Sequence, residues 1–293
     1  MRIKELIRPI KIKFGSDRRY LEKRYKKIFG FKPDLDDPKR FSEIINWIKL
    51  NVRNPLYTTC ADKYAVRNFV RNNADEEILI PLLAYGKDWE SINYSALEEP
   101  FIIKTTHSSG SVTIVRDKSV ENETKIRNRV EAELKSNYYY GLREWHYKNI
   151  EPAIIVEKLL VDNEGNVPTD LKFHCFNNGD AIEIIFEPML GRFVGTRAAF
   201  YTEAWERLPF ENTYPQLGYE MQQPENFAEL CRTARKLASH FRYVRVDLYS
   251  LDKRIYFGEL TFTPTSGVTP FKPDKWDFFM GEKILATGMV KTT

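Results

Sequence analysis

The stretch that decides this chain is Val244-Arg245-Val246-Asp247-Leu248-Tyr249, followed after a short polar turn by Ile255-Tyr256-Phe257-Gly258-Glu259-Leu260-Thr261-Phe262-Thr263-Pro264. Successive side chains of a strand point to opposite faces. Val244, Val246 and Leu248 then share an apolar face, and Arg245, Asp247 and Tyr249 share the other. In the second strand Glu259, Thr261 and Thr263 share a face. With residues 250–254 as the hairpin turn, Asp247 and Glu259 become direct or diagonal cross-strand neighbours. Like charges facing each other across a strand pair are destabilising, and a cation removes that repulsion. Magnesium takes oxygen ligands, usually one or two carboxylates plus substrate phosphates. The hairpin reads as a divalent-metal site beside an arginine, suited to nucleotide phosphates. An ordinary charged surface hairpin is the alternative that the pair alone leaves open.

The rest of the chain bounds that reading. At 293 residues with 42% hydrophobic and 14% aromatic content, it has enough apolar material for a well-packed globular protein of more than one unit. No apolar run approaches a membrane span, and the N-terminus lacks the apolar core of a secretory signal. Cys60, Cys175 and Cys231 are odd in number and lack metal-ligand spacing, which fits a reducing cytosol. Residues 1–32 hold twelve Lys/Arg against three acids, so this arm is strongly basic and the remainder mildly acidic. With Ile3, Leu6, Ile7, Ile10 and Ile12 interleaved, the arm suits peripheral contact with an anionic membrane, or a solvated helix packed on the body. No basic, aromatic-interleaved module recurs downstream, so no nucleic-acid partner is expected.

Apolar periodicity predicts helices over 20–29, with Gly30 as a stop, and over 61–70, with Tyr64, Ala65, Phe69 and Val70 on its buried side. Another is predicted after Asp37-Pro38, read as a cap followed by proline at the first helical position. Further helices are predicted over 119–136 and 224–241. Strands are predicted over 101–104, 112–115, 153–160, 171–176 and 181–186. Helices first, then strands with interspersed helices, indicate an α+β protein over mostly antiparallel sheets.

Several other residues have chemistry to offer. Lys104 ends an apolar strand and precedes His107-Ser108-Ser109-Gly110-Ser111, a small-residue loop whose backbone N–H groups suit a phosphate. Glu157 lies in the apolar strand that ends in Lys158 and Leu159, and is costly to bury without a partner such as an adenine amino group or a ribose hydroxyl. Asp170 and Lys172 share a strand face with His174, which reads as structural. Lys172 suits a terminal phosphate. Arg192 and Arg197 suit an anionic substrate. Each has a plain alternative as a solvated surface charge.

Their order is more specific than any one of them. Lysine before a small-residue loop, a strand ending in Glu-Lys-Leu, then Asp-x-Lys, Arg-x-Asp and Glu-x-Thr-x-x-Pro resembles the ATP-grasp superfamily. From about Phe29 the chain resembles the TupA-like ATP-grasp family, associated with teichuronopeptide and capsular polysaccharide synthesis. The resemblance is carried by Asn54-Pro55-Leu56-Tyr57, Asp62-Lys63-Tyr64-Ala65-Val66-Arg67, Phe101-Ile102-Ile103-Lys104-Thr105-Thr106-His107, Arg143-Glu144-Trp145 and the opening hairpin.

It implies an ATP-grasp fold, two α+β subdomains holding ATP between them, with a helical N-terminal region. The implied segments are a basic arm (1–32), an N-terminal subdomain (33–98), a central subdomain (99–160) and a C-terminal subdomain with the metal site (161–293). It also implies roles. Lys104 and Lys172 contact ATP phosphates, assisted by Lys63. The loop from His107 to Ser111 closes over them. Glu157 and the neighbouring backbone at Lys158 and Leu159 read the adenine or ribose. Asp247, Glu259 and Thr261 hold Mg2+, and Arg245 stabilises the transferring phosphoryl group. Two departures are specific. Thr261 stands where many ATP-grasp enzymes place an asparagine ligand, and Ser108, Ser111 and Thr265 stand where relatives are richer in glycine.

The implied reaction is acyl phosphate formation from ATP and a carboxylate, then attack by an amine. That makes a cytoplasmic carboxylate–amine ligase, with peripheral membrane contact through the basic arm left open, acting on a uronic acid and an amino acid or other amine. The rival readings are a small-molecule kinase on the same fold, a glycosyltransferase of the same polysaccharide pathway, and a non-catalytic nucleotide-binding protein.

Overall fold

The structure, a computed structural model, describes residues 15–191 and 195–290. The first fourteen residues of the basic arm, and Arg192, lie outside the described residues. In chain order the elements are α1 (Asp17–Phe29), α2 (Phe41–Asn51), α3 (Pro55–Ala61), α4 (Val66–Asn73), β1 (Leu82–Gly86), β2 (Phe101–Thr105), β3 (Val112–Val115), α5 (Glu123–Leu134), α6 (Tyr139–Leu142) and β4 (Ile154–Lys158). There follow β5 (Asp170–Asn177), β6 (Ile182–Leu190), β7 (Arg197–Ala198), β8 (Phe200–Thr202), β9 (Arg207–Leu208), α7 (Phe227–Ala238), β10 (Tyr243–Leu251), β11 (Arg254–Thr261) and α8 (Lys275–Leu285).

Two units emerge from the packing. One is Arg53–Val167. The other joins Gly15–Val52 to the chain from Pro168 onward. The segment 33–98 read from the sequence is thus divided, and the reason is α2. Its Phe41 ring packs edge-on against Tyr243 and Phe271, each 5.7 Å away, and Ile44, Ile45 and Ile48 are buried beside it.

The first unit is built on an antiparallel sheet in the order β1-β4-β2-β3. Its core is Phe101, Ile103, Val115, Ile154 and Val156, covered by Ile126 and Val130 of α5 and by Trp89 and Tyr94. Alternation explains the choice. Phe101 and Ile103 point to this core, whereas Ile102 and Lys104 point away.

The second unit holds an antiparallel sheet in the order β11-β10-β5-β6-β8-β9, with β7 added to β6. Its faces differ in character. Val244, Val246, Leu248, Phe173 and Phe186 are buried on the side of α7, whose Phe227 ring stands 5.2 Å from Phe186. The opposite side carries Arg245, Asp247, Lys172, His174 and Glu187, all at most 8% exposed. Period-2 alternation thus buries an ionic face in the same strands that supply the core.

The α+β expectation is met, with differences in the local elements. The helix expected over 61–70 starts later, as α4 at Val66, because residues 62–65 turn the chain after α3; Tyr64 in that turn is exposed while Arg67 is buried. Asp37-Pro38 does not cap α2, which starts at Phe41. The buried Glu43 carboxylate instead accepts the N–H groups of Asp34, Lys39 and Arg40, which draws the start of the helix inward. The hairpin turn is shorter than 250–254. Only Asp252 and Lys253 lie outside the strands, and both have positive φ (50° and 65°), as a two-residue hairpin turn requires.

Candidate active site

In the second unit, register brings the predicted residues together. Asp247 pairs directly with Glu259 on one side and with Lys172 on the other, and Lys172 pairs with Glu187. The next row is Thr261, Arg245 and His174. A bulge follows Asp247, so that Gly258 lies against its backbone. A Cβ there would sit 2.9 Å from the Asp247 carbonyl oxygen, and only glycine allows that approach.

Asp247 is the hub of this face. Its Oδ1 accepts from Arg245 Nε at 2.7 Å, and its Oδ2 accepts from Arg245 NH2 and Lys172 Nζ, each at 2.7 Å. Lys172 also donates to Asp170 at 2.9 Å. Arg245 NH2 reaches Thr261 Oγ1 at 3.1 Å and Glu259 Oε1 at 3.4 Å. Burial pushes the Asp247 pKa up, but Arg245 and Lys172 overcome this and hold it below its usual value. Burial and the Arg245 charge work against the Lys172 ammonium, yet the Asp247 and Asp170 carboxylates keep its pKa raised. The repulsion expected between Asp247 and Glu259 is therefore already answered by the protein's own cations.

Four carboxylates (Asp170, Glu187, Asp247, Glu259) stand with two cations (Lys172, Arg245) on this face. The formal excess is two negative charges, which matches one divalent cation. Among the described residues no three His, Cys, Asp or Glu side chains form a metal-holding group. Magnesium needs no such cage when substrate phosphates complete its shell. Glu259 suits the role best, because its side chain is 41% exposed against 3% for Asp247. The Thr261 hydroxyl donates to Glu259 Oε1 at 2.8 Å, which orients the carboxylate. His174 is held between Glu187 (3.1 Å) and the Tyr243 hydroxyl (2.9 Å), and burial depresses its pKa against the pull of Glu187, so it packs and orients this face.

In the first unit Glu157 is neither unpaired nor at a strand's exposed end. Its Oε2 accepts from Lys104 Nζ at 2.7 Å and its Oε1 from Arg67 NH1 at 2.9 Å. Arg67 also donates to the Ile80 carbonyl at 2.9 Å. Arg67, which lies in one of the quoted motifs, is not singled out by the sequence as a partner of Glu157. A lone arginine on an amphipathic helix reads as solvated surface, and its partner is ninety positions away. Lys158 is exposed, and the N–H groups of Lys158 and Leu159 donate to the Pro81 and Pro100 carbonyls, each at 3.0 Å.

The loop after β2 is anchored at its base. The Ser108 hydroxyl bonds Thr105 Oγ1 at 2.6 Å, Lys63 Nζ donates to the Ser108 carbonyl, His107 bonds the Ser136 carbonyl at 3.1 Å, and Ser111 donates to Glu133. Ser109 is half-buried and Gly110 exposed. The left-handed position of this loop is Gly110 (φ 75°), so the serines at 108 and 111 impose no strain. Arg197 is exposed on β7, where it donates to the Gln216 carbonyl at 3.0 Å.

Residues 43–285 match the family described as TupA-like ATPgrasp. No curated protein matches the chain. Among solved structures it is similar to D-alanine–D-alanine ligase from Helicobacter pylori, at 12% identity over 87% of this chain and 70% of that one, with a TM-score of 0.46. The Bacillus anthracis D-alanine–D-alanine ligase gives 17% identity, 78% and 66% coverage and a TM-score of 0.44. Phosphoribosylamine–glycine ligase from Thermotoga maritima gives 10%, 84%, 60% and 0.47. The chain spans about two thirds of the length of these structures. With overlap this partial, the family rests on the matched sequence pattern.

Proposed function

The chain belongs to the TupA-like ATP-grasp family, and from that premise we propose that it is an ATP-dependent ligase that joins an amine to a carboxylate through an acyl phosphate. The proposed acceptor is a uronic acid of a surface polysaccharide of the capsular or teichuronopeptide type, and the proposed donor is an amino acid or other amine. The observation that carries this reading is the cross-strand row Glu259–Asp247–Lys172, in which Asp247 and Lys172 are buried and Glu259 is partly exposed, with the buried Arg245 beside it.

In the proposed reaction an oxygen of the acceptor carboxylate bonds to the γ-phosphorus of ATP as the bond to the β,γ-bridging oxygen breaks, and ADP leaves. Negative charge spreads over the phosphoryl oxygens. Arg245 and Lys172 face that charge as cations already removed from water, so little reorganisation accompanies its development. The amine then bonds to the acyl carbon, phosphate departs, and the amine proton passes to water. Glu259, with Asp247, would hold a magnesium ion, which when bound would neutralise charge on the phosphates, and the Thr261 hydroxyl orients Glu259. In the first unit, Lys104 and the loop from His107 to Ser111 are the proposed phosphate contacts, with Lys63 setting the base of that loop. Glu157 is the proposed reader of the nucleoside.

The test is an ATP-dependent phosphate-release screen across amino acids and uronic acids. ADP, phosphate and a new amide in equal amounts are expected. A stable phosphorylated product with no amide overturns the ligase in favour of a kinase. Thermal stabilisation by sugar nucleotides but not by ATP with magnesium overturns it in favour of a glycosyltransferase.

A further inference from the structure

Just beyond β11 the chain takes three consecutive left-handed residues: Thr265 (φ 49°, ψ 16°), Ser266 (φ 56°, ψ 21°) and Gly267 (φ 60°). Glycine enters this region freely, whereas a serine does so at a cost and a β-branched threonine more so. Such a backbone persists only where its surroundings over-determine it.

Those surroundings are one face of α2. Lys49 is 1% exposed, and its Nζ donates to the Ser266 carbonyl at 2.8 Å and to Ser266 Oγ at 3.0 Å. Asn46, fully buried three residues earlier, donates to the Gly267 carbonyl at 2.9 Å and to Ser42 of its own helix at 2.8 Å. Residues three and four apart share a helix face, which is why Ser42, Asn46 and Lys49 meet the turn together. The backbones are equally close. A Cβ at Gly267 would lie 2.8 Å from the Ser42 carbonyl oxygen and 2.9 Å from Ile45 Cβ. Burying a lysine is costly, and here its ammonium is directed at the turn.

We infer that Lys49, with Asn46, is a positioning residue. It holds the Thr265–Gly267 turn left-handed and thereby fixes the end of β11 that presents Glu259 and Thr261. Phe262, Thr263 and Pro264 connect Thr261 to the turn and are all buried, so a shift of the turn is passed back along the strand. The inference rests on the metal role proposed for Glu259.

The test compares the full chain with Lys49→Met and with Lys49→Met combined with Thr265→Gly. One readout is amide exchange at Ser266 and Val268, whose N–H groups donate to Thr263 (2.8 Å) and Thr265 (3.2 Å). The other is the magnesium concentration that half-saturates ATP turnover. Lys49→Met is expected to speed exchange at these two amides by about tenfold or more while β5 and β10 stay protected, and to raise the magnesium requirement by about tenfold. Thr265→Gly should restore both, because glycine makes the left-handed turn cheap again. Exchange that is unchanged, or that rises evenly through the unit, overturns the inference, as does failure of the rescue. Absence of ATP turnover in the unaltered chain would overturn the proposed function instead, and exchange with rescue would still decide the role of Lys49. Should Lys49→Met not fold, Asn46→Ala leaves the lysine in place and carries the same readouts.

Discussion

Lys172 Nζ lies 2.7 Å from Asp247 Oδ2, and this contact ties β5 to β10 across the buried ionic face of the second unit. Removing one member of such a buried pair leaves the other charge short of a partner, at a cost of about 3–5 kcal/mol. Arg245 still holds both oxygens of Asp247, but the buried Asp170 loses its Lys172 contact as well, so Lys172→Met should cost about 3–5 kcal/mol in urea unfolding. Stabilisation by ATP with magnesium should be lost as well. A cost under about 1 kcal/mol would mean that Arg245 alone satisfies Asp247.

Glu259→Gln should separate metal binding from folding. The Glu259 side chain is 41% exposed and, among the described residues, its Oε1 accepts from Thr261 and Arg245. The amide oxygen keeps both contacts, so stability should change by about 0.5 kcal/mol or less. The magnesium needed for half-maximal ADP formation should rise by about tenfold or more. Unchanged magnesium dependence would remove Glu259 from the metal site.

These two residues show what the sequence carries. The register of Asp247 with Glu259 was legible because a strand alternates with a period of two and the turn between the strands is short. The partners of Asp247 were not all legible. Lys172 lies on a different hairpin, seventy-five positions earlier, and only the sheet order sets it opposite. The same holds for Lys49 and the Thr265–Gly267 turn, where a helix from near the start of the described chain meets the end of β11. Local pattern fixes which face a side chain takes, but long-range packing decides which charge it meets there.

Arg67 should matter as much as the predicted Lys104. Glu157 divides its two oxygens between them, at 2.9 Å and 2.7 Å. Without Arg67, Glu157 has Lys104 as its cation and holds it more firmly, which opposes transfer of Lys104 to a phosphate. Arg67→Met should therefore cost about 3 kcal/mol of stability and weaken ATP binding by about tenfold, read by urea unfolding and by calorimetric titration with ATP and magnesium. Arg67→Lys should recover part of both. Undiminished ATP affinity in Arg67→Met would place this network in the fold alone.

Asp277 should impose a pH dependence on the second unit. It lies on α8, fully buried, where Oδ1 accepts the Ser42 N–H at 2.8 Å and Oδ2 the Ser42 hydroxyl at 2.6 Å. Arg40 is 3.8 Å away and the Tyr25 hydroxyl bonds Ser42 at 2.9 Å. Burial outweighs these contacts and raises the carboxyl from its ordinary 3.8 to about 6. The folded chain thus binds the proton more tightly than the unfolded chain. The contribution is full below about pH 4 and is lost as pH rises through about 6, amounting to about 3 kcal/mol. Asp277→Asn keeps both contacts, with its oxygen accepting the Ser42 N–H and its amide donating to the Ser42 hydroxyl, and it does not titrate. The depressed His174 pKa acts oppositely, losing stability as pH falls below its ordinary 6.5 towards the lower folded value, but it is common to both proteins and cancels in their difference. The stability of the unaltered chain minus that of Asp277→Asn should therefore fall by about 2–3 kcal/mol between pH 4 and pH 7 in urea unfolding. A difference that stays flat across this range would show that Asp277 is ionised in the fold as readily as in the open chain.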